Sequence, residues 1–430
     1  MKFVAAGDAI IQRRIQEGFE GYAELAPFIK AADARFFNLE TTLNEEGECC
    51  ASQFSGGTYL RTTPRVLDDL LSFGFNMTSF NNNHAMDYSY GGLEATLEAL
   101  EETDLVHAGV GRNLAEASAP RYLDTENGRV ALIAVNTSFD PSMMAGEQSP
   151  RVPGRPGING LRVESHLTVT REEMDFVRAL AERTGINVQK TIEAKEGYHA
   201  LPAENEAELG PLKFVLGDKD AFVSTLNATD VERVKKAIFE AKLQADYIMV
   251  SIHSHQLAGD AKECPSQFLI DFAHTCIDCG ANAVIGHGPH LLRPVEVYKD
   301  APIFYSLGDF ILQLYNVELA PADFLAKNGF TADATVHELL AKRSKNFTRG
   351  LMTDRRMFLS VLPMWETDSD GKLTELLLLP IELKMDGHKS EIGLPRVASP
   401  EAVIGYLGNM SLPYGVKLTA TEKGLIKCTW

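Results

Sequence analysis

The sequence predicts an α/β fold with a mostly parallel sheet, helices outside it, and an antiparallel sheet region near the C-terminus. Short apolar runs alternate with segments of helical periodicity along much of the chain, which is typical of parallel sheets with helical crossovers. Near the C-terminus two apolar runs, Met357–Leu362 and Leu373–Leu379, flank the Asp- and Gly-rich stretch Asp368–Gly371, which favours a hairpin. A chain of 430 residues can form one large domain with an insertion, or two domains.

Three helices are predicted between the first strands. Ala23–Lys30 follows the first apolar run, and Pro64–Leu71 begins with a proline, which suits the first turn of a helix. Leu93–Leu100 has apolar residues at helical spacing. Strands at Leu105–His107 and Val130–Val135 follow, and this alternation predicts the parallel part of the fold.

Five of the apolar, strand-like runs end in side chains that can bind a metal ion. In chain order these side chains are Asp8, then Asn38 and Glu40, then Asn83 and His84, then His253 and His255, and finally His287 and His290. Because ligands bind at the carboxyl ends of strands in open α/β sheets, we expect the five ends to share one pocket. Their mixture of oxygen and nitrogen donors suits a divalent ion such as Mn, Fe, Zn, Mg or Ca.

Composition and charge narrow the class of protein. Hydrophobic residues make up 45% and charged residues 23% of the chain, as in ordinary globular proteins. The formal net charge of −18 disfavours nucleic acid and anionic membrane surfaces as partners. No stretch of about 20 apolar residues occurs, and Asp8 interrupts the first apolar run before it reaches signal-peptide length, so we expect a cytoplasmic protein.

Cys276 and Cys279 form a CxxC motif, but the chain has no second CxxC pair that would complete a zinc site. We therefore interpret them as cysteines of a helix.

The predicted domain organisation is a catalytic domain over residues 1–395, with an insertion at about 145–235, and a C-terminal extension over 396–430. Thr170–Glu173 has the sequence of a capping box and should begin a helix inside the insertion. Long insertions in α/β enzymes usually cover the site or form a partner surface. Arg151 and Arg155, at its start, could bind a phosphate or carboxylate of the substrate, or lie free on the surface.

The motifs together resemble the CapA family, named for poly-γ-glutamate capsule synthesis, whose fold is that of the calcineurin-like metallophosphoesterases. The matching stretches are Gly7-Asp8, Asn38–Glu40, Asn82–Tyr88, His253, Gly286–His290 with Pro294–Tyr298, and Phe304–Phe310. The resemblance spans roughly residues 2 to 312 without the middle segment. It implies a metallophosphoesterase-like sandwich of two mixed β-sheets flanked by helices.

The resemblance also implies roles for the site residues. The metal ligands would be Asp8, Asn38, Glu40, Asn83, His253 and His287. His84 would be the proton donor; Asp87 either orients it or is an acid favoured at a helix N-terminus. His255 and His290 are further candidates for proton transfer. Related phosphoesterases have Asp-x-His on the first strand and a bridging aspartate on the second, so Ile10 and Asn38-Leu39-Glu40 predict one firm metal site and a second that is weak or absent.

Three functions remain open on the sequence. The first is a metal-dependent hydrolase acting on an amide or ester of a small glutamyl- or peptide-like substrate. The second is a metal-dependent peptide epimerase, in which two bases from His84, His255 and His290 exchange an α-proton. The third is a non-catalytic component of poly-γ-glutamate capsule synthesis. The substrate, the metal and the oligomeric state cannot be read from the sequence.

Overall fold

The computed structural model describes residues 1–430. In chain order its β-strands are β1 (Lys2–Ile10), β2 (Ala34–Leu39), β3 (Thr42–Leu43), β4 (Arg61–Thr62), β5 (Met77–Ser79), β6 (Val106–Ala108), β7 (Val110–Gly111), β8 (Arg121–Thr125), β9 (Gly128–Asn136), β10 (Gly157–Ile158), β11 (Val163–Val169), β12 (Glu206–Leu209), β13 (Leu212–Leu216), β14 (Ala221–Leu226), β15 (Tyr247–His253), β16 (Ala283–His287), β17 (Leu292–Tyr298), β18 (Ala301–Leu307), β19 (Asp309–Leu312), β20 (Leu359–Thr367), β21 (Leu373–Leu383), β22 (Pro395–Val397), β23 (Lys417–Ala420) and β24 (Ile426–Thr429).

The α-helices are α1 (Glu20–Lys30), α2 (Val66–Phe73), α3 (Ser89–Glu101), α4 (Leu114–Ser118), α5 (Arg171–Thr184), α6 (Val188–Lys195), α7 (Ala228–Lys242), α8 (Gln267–Cys279), α9 (Ala322–Lys327), α10 (Val336–Arg343), α11 (Pro400–Val403) and α12 (Asn409–Ser411). Short 3₁₀ or π turns lie at Pro141–Met143, Leu314–Asn316, Leu351–Thr353, Arg355–Phe358, Ile404–Gly408 and Leu412–Tyr414. The three helices predicted between the first strands are confirmed as α1, α2 and α3, although α2 begins two residues after Pro64.

Two mixed sheets form the body of the protein. The larger sheet has the order β23-β24-β21-β20-β1-β2-β5-β6, with β19 beside β1 and β22 beside β21. The smaller sheet has the order β17-β18-β16-β15-β9-β8. Each contains parallel and antiparallel pairs: β1 is parallel to β2 and antiparallel to β20, and β15 is parallel to β16 whereas β17 is antiparallel to β18. The predicted hairpin is the antiparallel pair β20 and β21.

The two sheets pack face to face around a core of apolar and aromatic side chains. Phe3 of β1 stacks on Tyr247 of β15 with ring centroids 4.0 Å apart, and on Trp365 of β20 at 5.2 Å. The indole N–H of Trp365 donates to the Tyr247 hydroxyl at 2.8 Å, so the one polar atom of this large side chain is satisfied. On its other face the larger sheet is covered by α1, α2 and α3, as the pattern of buried Leu25, Leu70 and other helix residues indicates. The predicted sandwich flanked by helices is confirmed.

The C-terminal residues belong to the larger sheet. β24 pairs with β21 and β23 pairs with β24, while Leu418, Ile426 and Cys428 are buried in the core between the sheets. The predicted boundary at residue 395 falls on the first residue of β22. Residues 396–430 therefore complete the sandwich and are not an appended extension.

Residues 161–231 form a second compact unit, inside the predicted insertion of 145–235. A four-stranded sheet of order β12-β13-β11-β14 packs on α5, with Met174, Val177, Ala207 and Phe214 as its small core. α5 begins with the predicted capping box, in which Thr170 and Glu173 satisfy each other's backbone N–H groups.

None of the helices combines the length and the hydrophobicity that crossing a bilayer requires.

Candidate metal centre

The polar strand ends of both sheets meet in one buried cluster. β1 and β2 of the larger sheet and β15 and β16 of the smaller sheet supply most of it, with side chains from the loops that follow. The buried or nearly buried residues of the cluster are Asp8, Asn38, Glu40, Asn82, Asn83, His84, Asp87, His253, His255, His287, His290 and Asp309. The cluster draws on both sheets, since β1, β2 and β5 belong to the larger sheet and β15 and β16 to the smaller one.

Asp8 lies within β1 and not at its end as predicted. The strand continues to Ile10, and its pairing with β2 and β19 is irregular at Asp8, which indicates a local bulge. The Asn38 amide donates to Asp8 Oδ1 at 2.7 Å and the Gly288 N–H donates to Oδ2 at 2.9 Å. The same carboxylate lies 3.5 Å from His287 Nδ1. These two donors hold the carboxylate toward the imidazole.

Glu40 has no hydrogen-bond partner for either carboxylate oxygen, although the side chain is fully buried. Its Oε1 lies 3.8 Å from His253 Nε2, 3.9 Å from His84 Nε2 and 3.9 Å from His290 Nε2. These separations are too long for hydrogen bonds. They are close to the roughly 3–4 Å between ligand atoms that each lie about 2 Å from a shared ion.

The imidazoles of His287, His253 and His255 contact one another in that order. The Nδ1 atoms of His253 and His287 are 2.9 Å apart, and Nε2 of His253 is 3.1 Å from Nε2 of His255. Nε2 of His287 is 2.6 Å from the Ser251 hydroxyl, so its Nδ1 is the nitrogen that faces the cluster. Such a partner on the outer nitrogen orients metal-binding histidines in other proteins.

His290 reaches the cluster from a strained turn. Its φ of 59° lies in the left-handed region, which is uncommon for a residue other than glycine, and Gly288 has a φ of 117°. His290 Nδ1 lies 2.9 Å from Asp309 Oδ1 and 3.8 Å from Asp8 Oδ2. The Gly/Pro turn therefore places His287 and His290 on either side of the same Asp8 carboxylate.

At the rim of the cluster His84 is paired with Asp87. His84 Nδ1 lies 2.6 Å from Asp87 Oδ2, and the same carboxylate accepts from the N–H groups of Leu60 and Gly56, at 2.8 and 3.3 Å. Asp87 therefore orients the imidazole, which leaves Nε2 of His84 facing Glu40. The side-chain oxygen of Asn83 is buried and has no partner, whereas its amide donates to the Gly56 carbonyl at 3.3 Å.

Burial governs the ionisation of the carboxyl groups. It raises the pKa of Asp8 to about 7, with repulsion from Asp309 adding to the shift. Burial and the negative charge of Asp8 raise the pKa of Glu40 well above its usual value. Burial also raises the pKa of Asp309, although the charge of His290 opposes this. Three carboxyl groups thus lie together where ionisation is costly.

The imidazoles are mostly neutral in this environment. Burial lowers the pKa of His287 to about 3, and burial together with neighbouring histidines lowers the pKa of His253 and His255 well below the usual value. His290 is the exception, because Asp309 and Asp8 outweigh the effect of burial and raise its pKa. Neutral imidazoles can donate a lone pair to a metal ion.

The residues present fit a divalent cation. Three groups have ligand atoms within 4.8 Å of one another: Asp8, His253 and His287; Glu40, His253 and His255; and Asp8, His290 and Asp309. The unpartnered oxygens of Glu40, Asn83 and Asp309 are acceptors that a cation would satisfy, and burying them without one would be costly. Of the six predicted ligands, Asn38 differs, since its amide group is engaged with Asp8 and, at 3.4 Å, with Asn82.

A cavity of about 250 Å³ opens beside the cluster. Asn83 and His255 of the cluster line it, together with the apolar side chains of Phe54, Phe139 and Met143. Neither predicted substrate-binding arginine lines it. The exposed Arg155 donates from its guanidinium to the Met144 carbonyl, next to the cavity wall, and Arg151 is exposed with only its backbone N–H bonded.

Several contributors to the site could not be identified from the sequence. Ser251 orients His287, and Asn82 connects the Leu39 carbonyl (2.7 Å) to the His84 N–H (3.1 Å). The only signal for Ser251 is its position two residues before His253, on the same face of a strand. Asp309 is a further contributor, because its carboxylate contacts Nδ1 of His290 and so places a negative charge beside the cluster.

Comparison with known proteins identifies the family. Residues 2–314 match the family described as "Bacterial capsule synthesis protein PGA_cap". The chain belongs to the PGA_cap family. Its resemblance to CapA proteins is thereby confirmed, and the cluster described above lies within the matched residues.

Two relatives and one solved structure show how far the similarity of this PGA_cap chain extends. The uncharacterised protein y4sH of Sinorhizobium fredii (strain NBRC 101917 / NGR234) is 30% identical over 441 residues, covering 99% of this chain and 92% of the relative. Capsule biosynthesis protein CapA of Bacillus anthracis is 21% identical over 311 residues, covering 71% of this chain but only 58% of that protein. A 5'-nucleotidase precursor from Thermus thermophilus aligns with 10% identity and a TM-score of 0.38, over 96% of this chain and 58% of that one.

Proposed function

We propose that the protein is a metal-dependent hydrolase that cleaves an amide or ester bond in a small glutamyl- or peptide-like substrate. The observation that carries the proposal is a set of unpartnered buried acceptors on Glu40, Asn83 and Asp309, beside neutral imidazoles and beneath an open cavity. A divalent ion bound there would polarise the scissile carbonyl and make a bound water more acidic. CapA-type relatives are named for capsule synthesis, so a non-catalytic role in that process is the competing view.

His84 is the proposed acid. Its Nδ1–H donates to Asp87, which fixes the tautomer and the ring orientation, and its Nε2 faces the cluster at 3.9 Å from Glu40. In that position a protonated Nε2 would donate to the leaving nitrogen or oxygen as the bond breaks, and the neutral ring would recover its proton from water.

The cavity indicates the kind of substrate. Its volume of about 250 Å³ is enough for one small residue and not for a folded chain. Phe54, Phe139 and Met143 would contact apolar parts of a peptide-like substrate and exclude water from the bond that is cleaved. Arg155 is the proposed partner for a substrate carboxylate, since its guanidinium is bound to the carbonyl of Met144, the residue that follows Met143 of the cavity lining.

Epimerisation is the second candidate because more than one imidazole faces the same carboxylate. Nε2 atoms of His84 and His290 each lie 3.9 Å from Glu40 Oε1, an arrangement that a two-base proton exchange could use. Incubation in deuterated water separates the two reactions. Deuterium in recovered, uncleaved substrate supports epimerisation, whereas fragments that carry the new hydroxyl group from water support hydrolysis.

The test is a survey of small acylated amides and esters, including γ-glutamyl and dipeptide amides, with protein loaded with Mn²⁺. Release of amine or alcohol is followed by mass spectrometry, with and without a chelator. His84→Gln is the test variant and His337→Gln, an exposed histidine outside the cluster, is its matched control. Turnover that needs the ion and is lost only in His84→Gln supports the proposal. Turnover that the chelator and both variants leave unchanged refutes it.

A further inference from the structure

Arg293 is a fully buried arginine with no acidic partner. It lies on β17, has an exposed fraction of 0%, and takes part in none of the ion pairs of the structure. Its guanidinium instead donates to three backbone carbonyls: Nε to Lys262 at 2.9 Å, Nη1 to Ser254 at 3.3 Å and Nη2 to Gln256 at 2.9 Å. All three belong to the loop that follows β15.

A buried cation whose hydrogen bonds all go to neutral carbonyls is costly, even with the more distant charge of Glu263, so its retention needs a reason. Burial lowers the pKa of Arg293 to about 10, which still leaves it charged near neutral pH. The three carbonyl dipoles offset part of the desolvation penalty, since hydrogen bonds to a charged group are stronger than neutral ones. The guanidinium holds the loop that connects β15 of the smaller sheet to α8, and this loop has little regular secondary structure of its own.

The two carbonyls nearest the cluster lie on either side of His255. One guanidinium therefore holds both Ser254 and Gln256, the neighbours of that histidine. From the opposite side the His255 N–H donates to the Ser138 hydroxyl at 2.8 Å, and the Gln256 side chain donates to the Thr137 carbonyl at 2.9 Å. The backbone of His255 is thus fixed between two sets of hydrogen bonds.

His255 is the residue through which this bracing reaches the metal centre. Its Nε2 lies 3.1 Å from Nε2 of His253, and with Glu40 these histidines form one of the three groups that could hold an ion. We propose that Arg293 is a positioning residue that holds His255 beside Glu40 and His253, and so controls metal binding by that group. The inference rests on the proposed metal centre.

Only arginine can make these contacts from β17. Its planar fork presents donors in several directions at once, whereas a lysine ammonium at the same place is a single point that cannot span three carbonyls. Arg293→Lys therefore keeps a long basic side chain that can donate to one carbonyl, and it removes the rest of the bracing. The matched control is Arg396→Lys, a surface arginine paired with Glu382.

The experiment titrates each purified variant with Co²⁺ and records the visible spectrum, which reports the ligands of the ion. We expect Arg293→Lys to weaken binding by about 10- to 100-fold, as changes to groups that orient ligands do. Its spectrum should approach that of His255→Gln, a signature that general destabilisation would not produce. Amide hydrogen exchange of residues 254–262 should accelerate in Arg293→Lys and not in Arg396→Lys.

The outcomes distinguish the two proposals. Wild-type protein that binds no Co²⁺ would refute the metal centre, and with it the role of Arg293 in metal binding. Normal binding by both wild type and Arg293→Lys would refute the positioning role alone, as would unchanged exchange in residues 254–262. Arg293→Lys is preferred to an apolar replacement because its ammonium group can still donate to one of the buried carbonyls, so the variant is more apt to fold.

Discussion

Replacing Asp8 by asparagine should have opposite effects on stability with and without metal. Burial, with repulsion from Asp309, raises the pKa of Asp8 to about 7 from its ordinary value of 3.8. A folded-state pKa above the unfolded value means that stability is highest below the unfolded pKa and is lost as the pH rises through the folded pKa. The ionised carboxylate of metal-free protein therefore costs stability above about pH 7.

The size of the effect follows from the shift. A change of one pKa unit corresponds to about 1.4 kcal/mol, so a shift of about three units costs metal-free protein on the order of 4 kcal/mol above about pH 7. Asp8→Asn removes this cost. An asparagine has one acceptor oxygen, whereas the Asn38 amide and the Gly288 N–H donate to two different oxygens of Asp8, so one hydrogen bond is lost at a cost of about 1 kcal/mol. We expect a net stabilisation of about 2–3 kcal/mol near pH 8, which disappears near pH 4.

Metal should reverse the order of the two proteins. An ion at about 1,000 times its Kd stabilises the folded state by about 4.1 kcal/mol, which exceeds the advantage of Asp8→Asn, and this variant lacks one ligand for the ion. The assay is urea denaturation at about pH 5 and pH 8, with chelator or with Mn²⁺, using exposed Asp370→Asn as the control. The reasoning fails if Asp8→Asn is no more stable than wild type in chelator near pH 8, or if Mn²⁺ stabilises both equally.

Three further results are expected. His84→Gln should keep its metal content and lose about 10²- to 10⁴-fold in turnover, and retained turnover would exclude a role in proton transfer. Gly56→Ala should reduce turnover, because the added Cβ would lie 2.1 Å from Asn83 Nδ2 and 2.7 Å from His84 Nε2 and would displace both side chains. Gly405→Ala is the control, since there is open space around Gly405, and its turnover should equal that of the wild type. Equal turnover in the two variants would contradict this expectation. Metal binding should release more protons near pH 6 than near pH 8, because Asp8, with its pKa of about 7, is still protonated at the lower pH and must ionise before it binds the ion. Isothermal titration calorimetry in two buffers of different ionisation enthalpy measures the number of protons released. Equal numbers at the two pH values would contradict the role of Asp8 as a ligand with a raised pKa.

The sequence predicted the cluster because strand ends and glycine-rich turns leave local signals. The Gly286–His290 turn, for example, follows an apolar strand directly, and the structure aims both of its histidines at Asp8. The fold class followed from the alternation of strands and helices and from the hairpin of β20 and β21.

Contacts between distant residues left no such signal. The N–H of Gly288 donates to Asp8 across 280 positions of the chain, and the partners of Arg293 lie more than 30 positions away. Which polar residue meets which carboxylate depends on how the two sheets pack, and that is decided by the aromatic core around Phe3 and Trp365. For the same reason the sequence could not show that the site is shared between two sheets.

The charges at the centre bear on how many ions it should hold. Asp8, Glu40 and Asp309 are buried carboxyl groups, and His290 is the one imidazole among them whose pKa is raised. With all three acids ionised and that imidazole charged, two negative charges remain, which one divalent ion neutralises. A second ion would bring four positive charges against these two, or against three with the buried Asp87 carboxylate, and so leave a positive excess. For the proposed metal centre this balance favours one firm site, in line with the weak or absent second site expected from the sequence.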